Sequence, residues 1–277
     1  MDLNVLFEDR PLQPGEQDPC DKGLDILSQG HHMYGIALLP SSMPGQNHPC
    51  VVMLHGLPGH TTNQDVSQAL RRLGFAVLHP FYRGAWGSQG WFSLSGMIQD
   101  VKAIAQWCRS REASEQYGID GERVFLVGIS MGGWAAIHGL SDCDNVVGAV
   151  AIAPADIVFL GEERPALFKN AYQKYGCLRL ESPEILSREA AQYRDELGMF
   201  SQLDKLKDRP LLVIGGSRDT VIPPADALQP FWEAMESRGL VGDKEFVILD
   251  ANHSFAACRG ELTRRIALWL LNRMDPC

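Results

Sequence analysis

The chain has 277 residues, of which 45% are hydrophobic and 21% are charged, a composition typical of a protein with one large core. A formal net charge of −9, with no cluster of Lys and Arg, excludes nucleic acid as an expected partner because phosphates would be repelled. There is no apolar run of about 18 residues, and residues 1–20 lack the basic start and apolar centre of a signal peptide. We therefore expect a cytoplasmic protein that does not bind membranes.

The cysteines do not form a recognisable framework. All seven are scattered along the chain, and no CxxC pair occurs among them. This usage fits reduced thiols better than disulfide bonds or a zinc site. We expect no structural metal.

Six short apolar runs alternate with longer amphipathic stretches. The runs, predicted to be buried strands, are residues 50–56, 75–82, 123–130, 146–154, 210–216 and 245–250. The stretches with helical spacing are residues 65–74, 95–110, the segment after Gly133, and residues 260–274. This alternation predicts a single α/β domain over residues 1–277, with a mostly parallel sheet covered by helices on both faces. In such sheets ligands bind at the carboxyl ends of the strands.

One long segment interrupts the alternation. Residues 155–208 contain no strand-like run, and they are too long for a plain crossover loop. We predict a helical cap over the carboxyl edge of the sheet; the alternative is one crossover helix with additions whose aromatic residues only pack. The aromatic residues concerned are Phe159, Phe168, Tyr172, Tyr175, Tyr193 and Phe200. A cap of this kind could act as a mobile lid or pair two subunits in a homodimer, and the sequence does not separate the two.

The sequence RVFLVGISMGG places Ser130 between a predicted strand and a predicted helix. The pattern Gly-x-Ser-x-Gly in this context is typical of a nucleophile elbow, in which a strained turn exposes the serine hydroxyl. Gly128 and Gly132 would lack side chains because strand and helix approach each other closely there. Ser130 is therefore the candidate nucleophile.

A serine nucleophile needs a histidine base, and on this elbow the base follows the serine in the chain. Only His138 and His253 follow it. His138 lies about 12 Å further along the elbow helix and would point away from the hydroxyl. His253 follows the last predicted strand, at the expected edge of the sheet, and is the candidate base.

The acid that orients the histidine is less strictly determined. Asp219 follows a predicted strand by a short loop and precedes a proline-stiffened turn, which would fix its direction. Asp156, at the end of the preceding strand, is the alternative. Asp250 is too close to His253 in sequence. We predict Asp219, with a helix cap or local turn as its alternative role.

An oxyanion hole requires two backbone N–H donors beside the serine. The strand-ending sequence HGLPG offers the N–H of Leu57, and the second donor would be the N–H of Met131. Pro58 has no N–H and cannot serve. We expect His55 to brace this loop rather than act as a base.

The order of the segments HGLPG, YRGAWGSQG, GISMGG, GSRDTVIPP and NHSF resembles the α/β-hydrolase superfamily. Within it, the chain is similar over residues 25–275 to the branch containing prolyl-oligopeptidase-like and acylaminoacyl-peptidase-like catalytic domains and dienelactone-hydrolase-like esterases. The resemblance implies an α/β-hydrolase fold with Ser130 as nucleophile, His253 as base, Asp219 as acid, and Leu57 and Met131 as oxyanion donors. The residues before it are too few for the β-propeller of the peptidases, and Ser130 stands where dienelactone hydrolases have cysteine.

Together these features predict a serine hydrolase of small carboxylic esters that needs no cofactor. A peptidase of short peptides or acylated amino acids is the first alternative, and a non-catalytic ligand-binding protein on the same fold is the second. Tyr82 and Trp86, which follow a predicted strand, are expected to border the substrate pocket or else to pack in the core.

Overall fold

The computed structural model of the chain describes residues 3–60 and 62–274, without the side chains of residue 3 and residues 171–173. The described residues form one eight-stranded sheet with the order β1-β2-β4-β3-β5-β6-β7-β8. The strands are β1 Cys20–Ser28, β2 His31–Leu39, β3 His48–Leu54, β4 Ala76–Pro80, β5 Ile119–Ile129, β6 Val146–Ile152, β7 Leu211–Gly216 and β8 Lys244–Leu249. The six strands β3 to β8 are parallel and correspond to the six predicted runs. The predicted α/β-hydrolase fold is therefore confirmed.

The first two strands were not predicted. β1 and β2 form an antiparallel hairpin, and β2 pairs antiparallel with β4. Their turn residues, Gln29 and Gly30, both have positive φ (49° and 77°), which suits a tight hairpin turn. Because this edge of the sheet is covered on one face only, β1 alternates buried and exposed residues and has no continuous apolar run.

Helices cover both faces of the sheet and divide the core into two layers. The helices are α1 Gln64–Arg72, α2 Leu94–Cys108, α3 Arg111–Tyr117, α4 Met131–Asp142, α5 Ile157–Glu163, α6 Pro165–Lys174, α7 Ile185–Gln192, α8 Arg194–Leu197, α9 Gln229–Ser237 and α10 Arg259–Leu271. One core layer contains residues of α1 and α10, and the other contains residues of α2, α4 and the helices between β6 and β7. None of the described helices has the length and apolarity required to cross a lipid bilayer.

The segment between β6 and β7 is helical, and hydrogen bonds between side chains and backbone groups tie it to the main body. It contains α5 to α8 and a 3₁₀ helix, Met199–Leu206. The carbonyl oxygen of Leu197 accepts hydrogen bonds from Trp134 Nε1 (2.7 Å) and His138 Nε2 (3.0 Å), both on α4. Glu189 accepts from Leu94 N (2.6 Å) at the start of α2. These contacts hold the segment against the helices that begin at the carboxyl edge of the sheet.

The aromatic residues of this segment divide between packing and exposure. Phe168 is fully buried, whereas Tyr193 and Phe200 are exposed. Phe159 and Phe200 line a cavity of about 600 Å³. The side chain of Tyr172 lies outside the described residues.

Candidate active site

The turn from β5 to α4 holds Ser130 in a strained backbone conformation. Its φ of 57° and ψ of −123° lie outside the regions that residues with a Cβ ordinarily adopt. Neighbouring backbone fixes this turn, because Ser130 N donates to Ile152 O (2.8 Å) and Ala155 N donates to Ser130 O (3.1 Å). The hydroxyl is thus presented where the strands end.

Glycine is required beside the serine because backbone atoms occupy the space of a side chain. A Cβ on Gly128 would lie 2.0 Å from Gly132 O, and a Cβ on Gly132 would lie 2.0 Å from Leu54 O. Gly56, in the loop after β3, is similarly close: a Cβ there would lie 3.0 Å from the Cβ of Ser130. The elbow and the HGLPG loop are therefore packed backbone against backbone.

His253 and Asp219 form a directed hydrogen-bonded pair. His253 Nδ1 lies 2.7 Å from Asp219 Oδ2, and the Asp219 side chain is completely buried. The other oxygen, Asp219 Oδ1, accepts from Val221 N and Ile222 N, each at 2.8 Å. Since a carboxylate accepts hydrogen bonds only, Nδ1 carries the proton and Nε2 is left as a proton acceptor.

Ser130 and His253 line one cleft of about 140 Å³. The rest of its lining comes from residues 56–60, which follow β3, and from Ile129 and Ser254. A serine hydroxyl, an imidazole and a loop with backbone N–H groups therefore surround one small space. An acyl group bound there would be accessible to all three.

The predicted oxyanion donors lie at this cleft. Leu57 is part of the lining and comes directly after Gly56. Met131 is the first residue of α4, so its N–H has no preceding carbonyl of the helix to bond. His55 Nδ1 donates to Gly56 O (2.8 Å), and burial lowers the pKa of His55 to about 4. His55 is therefore a neutral brace of the loop at pH 7.

The alternative acids and the alternative base have other partners. Asp156 caps α5 through Val158 N (2.8 Å) and also accepts from Met199 N (3.1 Å). Asp250 accepts from Arg218 Nε (2.6 Å) at the surface. His138, as described above, bonds a carbonyl of the inserted segment. In this arrangement Asp219 alone of the three aspartates contacts His253.

The two aromatic residues expected at the pocket have different positions. Tyr82 is fully buried: its ring lies 4.5 Å from the ring of His55 and 6.4 Å from that of Phe92. The prediction that Tyr82 borders the substrate pocket is thus corrected, because its ring turns into the core below the loop. Trp86 is 39% exposed, and its Nε1 donates to Pro58 O (2.9 Å) in the lining of the cleft.

Sequence reasoning missed a contact that joins the start of α1 to the loop after β8. Arg259 donates from Nε and Nη2 to both carboxylate oxygens of Asp65, 2.7 and 2.5 Å away. It also donates to Asn63 Oδ1 (3.0 Å) and to Ser254 O (3.3 Å). This side chain joins the region after the HGLPG loop to the residue after His253. A single arginine at the start of a helix carries no motif that would reveal this role.

Comparisons with known proteins agree with the fold and its chemistry. The model of the family described as "Alpha/beta hydrolase family" matches residues 51–263. A bifunctional acetylxylan esterase/xylanase, XynS20E, from Neocallimastix patriciarum is 31% identical over 188 residues, which are 65% of this chain and 26% of that protein. The matched part is thus about a quarter of that relative's length.

Among solved structures, the esterase Pf2001 of Pyrococcus furiosus has a TM-score of 0.68 at 21% identity, covering 93% of this chain and 94% of the esterase. The acylaminoacyl peptidase of Pyrococcus horikoshii has a TM-score of 0.66 at 17% identity, covering 92% of this chain and 41% of the peptidase. The structural neighbours thus include esterases and peptidases of the branch that the motifs resemble. Because the family model matches residues 51–263, more than half of the chain, this chain belongs to the alpha/beta hydrolase family.

Proposed function

We propose that this chain is a serine esterase that cleaves carboxylic esters of small acyl groups through an acyl-enzyme. The observation that carries the proposal is the 2.7 Å contact of His253 Nδ1 with the buried Asp219, on a histidine that shares one small cleft with Ser130. One oxygen of Asp219 bonds His253 and the other accepts from two backbone N–H groups, so the buried carboxylate fixes the direction of the imidazole.

In the proposed reaction, Ser130 Oγ attacks the ester carbonyl carbon while His253 Nε2 takes the hydroxyl proton. The N–H groups of Leu57 and Met131 donate to the oxygen that becomes negatively charged, and the N-terminal end of α4 adds to this stabilisation. His253 then protonates the departing alcohol, which leaves the acyl group on Ser130. Water, deprotonated by His253, attacks the acyl-enzyme and releases the acid. Asp219 holds the imidazole in the required tautomer throughout.

The size of the cleft and the nature of the relatives both favour small esters. A space of about 140 Å³ accommodates a short acyl group more readily than an extended peptide. The relative from Neocallimastix patriciarum is named an acetylxylan esterase, so acetyl esters of a polyhydroxylated alcohol are the first substrates to test. An alkoxide leaving group also demands less of the general acid than an amine does.

The test compares 4-nitrophenyl acetate with 4-nitroacetanilide, which differ only in the ester oxygen or amide nitrogen. We expect kcat/KM to be measurable for the ester and undetectable for the anilide, and Ser130→Ala to lower the ester value by a factor of at least about 10⁴. Comparable anilide cleavage would favour the peptidase alternative. Ester turnover that Ser130→Ala leaves unchanged would contradict the assignment, and no turnover of either compound would favour a non-catalytic binding protein.

A further inference from the structure

Three rings from distant parts of the chain meet beside the catalytic cleft. The ring of His60 lies 5.6 Å from that of Trp86 and 6.0 Å from that of Tyr175, and both contacts are edge-to-face. Phe81 lies behind Trp86, with ring centroids 6.0 Å apart. His60 follows β3, Trp86 follows β4, and Tyr175 belongs to the segment inserted between β6 and β7. We call His60, Trp86 and Tyr175 the ring wall.

Hydrogen bonds fix the position of Trp86 although its side chain is partly exposed to solvent. Its backbone has a φ of 50°, which is unfavourable for a residue with a large side chain. Its backbone N–H donates to Cys177 O (2.8 Å) in the inserted segment, and its indole N–H donates to Pro58 O (2.9 Å). Because these two hydrogen bonds fix the indole before a ligand binds, binding would cost little side-chain entropy, and the ligand would meet a rigid apolar face.

The ring wall continues one side of the cleft. Pro58, Gly59 and His60 line the cleft, and two of these residues also touch Trp86, through its indole N–H or its ring. Because aromatic rings favour edge-to-face and offset contacts with other rings, the wall favours a flat aromatic group over a flexible chain of similar size.

The position of the ring wall indicates that it contacts the acyl group of an ester and not the alcohol. His253 must protonate the departing alcohol, and its loop packs, through Ala251 and Phe255, on the core layer that contains α1 and α10. Trp86 and Tyr175 lie on the opposite side: Ala85 and Leu178, which pair across the two segments, are buried in the layer that contains α2 and α4. The alcohol therefore leaves towards one layer while the acyl group extends over the other.

We propose that the ring wall is an acyl subsite for a flat aromatic ring, so that the preferred acids are arylalkanoic acids. This inference rests on the proposed function, since it concerns the acyl half of the ester that Ser130 attacks. Trp86, Tyr175 and His60 are its specificity-determining residues.

Binding of the free acids tests the subsite without catalysis. In the Ser130→Ala protein we expect 3-phenylpropanoate to bind roughly three- to tenfold more tightly than hexanoate, measured by calorimetry. Tyr175→Leu or Trp86→Leu added to Ser130→Ala should bring the ratio close to one. The matched control is Trp91→Leu, which removes an exposed tryptophan of the same loop that stacks on Arg179 (4.1 Å) instead of the wall; this variant should keep the ratio.

Hydrolysis gives the second measurement. In the otherwise unsubstituted enzyme, kcat/KM for methyl 3-phenylpropanoate should exceed that for methyl hexanoate by a similar factor. The inference would be overturned if the two acids bound equally well, or if the preference for 3-phenylpropanoate remained after Tyr175 and Trp86 were replaced. It would also be overturned if Trp91→Leu removed the preference as completely as Tyr175→Leu or Trp86→Leu. Failure of the proposed function would look different: the binding preference would be present, but no ester would be hydrolysed.

Discussion

The nucleophile elbow and the inserted segment are both part of the catalytic edge, but different contacts hold them. At the elbow, backbone meets backbone: Gly132 has room for no Cβ beside Leu54 O, and Ser130 is locked by bonds to backbone atoms. The inserted segment is held by contacts between distant parts of the chain: Glu189 accepts from Leu94 N, Leu197 O accepts from Trp134 Nε1, and Cys177 O accepts from Trp86 N. The elbow is thus fixed by close backbone packing over a few residues, whereas the segment is held by long-range hydrogen bonds and by apolar side chains buried in the core layer of α2 and α4.

Because the two regions are held by different contacts, substitutions in them should have different effects. A change at the elbow or its acid–base pair should affect the reaction or the whole fold. A change at the polar contacts of the segment should cost stability in limited, separable amounts.

The largest contrast is expected between two buried aspartates. Asp219→Asn keeps an oxygen for the N–H groups of Val221 and Ile222 but stops orienting the proton on His253, so kcat for an ester should fall by about 10⁴-fold. Asp156→Asn, at the base of the segment, should lower kcat by less than about tenfold. Equal losses in the two variants would show that Asp156 shares the catalytic role.

A similar contrast separates two glycines. Gly132→Ala would force a Cβ to within 2.0 Å of Leu54 O, so the free energy of unfolding should fall by about 4 kcal/mol or more. Gly260→Ala in α10 meets no atom within 4 Å and should leave stability unchanged or slightly higher. Urea unfolding of both variants measures the difference, and a stable, active Gly132→Ala protein would contradict the close packing of the elbow.

Lowering the pH should weaken the contact between α4 and the inserted segment. Burial lowers the pKa of His138 to about 4, below its unfolded value, so the unfolded chain binds the proton first as pH falls below about 6.5. Between pH 7 and pH 5 this residue alone should remove about 2 kcal/mol from the free energy of unfolding. His138→Leu should lack that part of the pH dependence, and an unchanged slope in this variant would contradict the assignment.

The smallest expected effect is at the start of α2. Glu189 accepts from Leu94 N and from Ser95 Oγ, so Glu189→Ala should cost about 1 to 2 kcal/mol of stability. Glu184→Ala removes an exposed glutamate that directly precedes α7, the helix that contains Glu189, and is the matched control. The account would be wrong here if the two variants were equally stable in urea.

The contrast between the two regions also explains what the sequence revealed. The elbow could be predicted because close backbone contact demands glycine on both sides of Ser130, and this leaves a pattern in the chain. The parallel strands were visible as apolar runs because both faces are buried. His253 could be chosen as the candidate base because only two histidines follow the serine and His138 lies too far along the helix; its contact with Asp219 agrees with that choice.

Other features left no such pattern. β1 alternates buried and exposed residues and resembles a surface segment, so the hairpin was missed. The direction of the Tyr82 ring depends on how the loop after β4 folds, and its sequence fits burial as well as exposure. The ring wall brings Tyr175 to His60, and Arg259 bonds Asp65, 194 positions away, so only the folded chain brings these residues together.

The central claim, that Ser130 is the nucleophile activated by His253, is tested most directly by labelling with diisopropyl fluorophosphate. The account predicts one phosphoryl adduct per chain, formed by displacement of fluoride and located on Ser130 by peptide mass spectrometry. Labelling should become far slower in His253→Ala and in Asp219→Asn. An adduct on a different serine, or labelling of Ser130 at the same rate without His253, would contradict it.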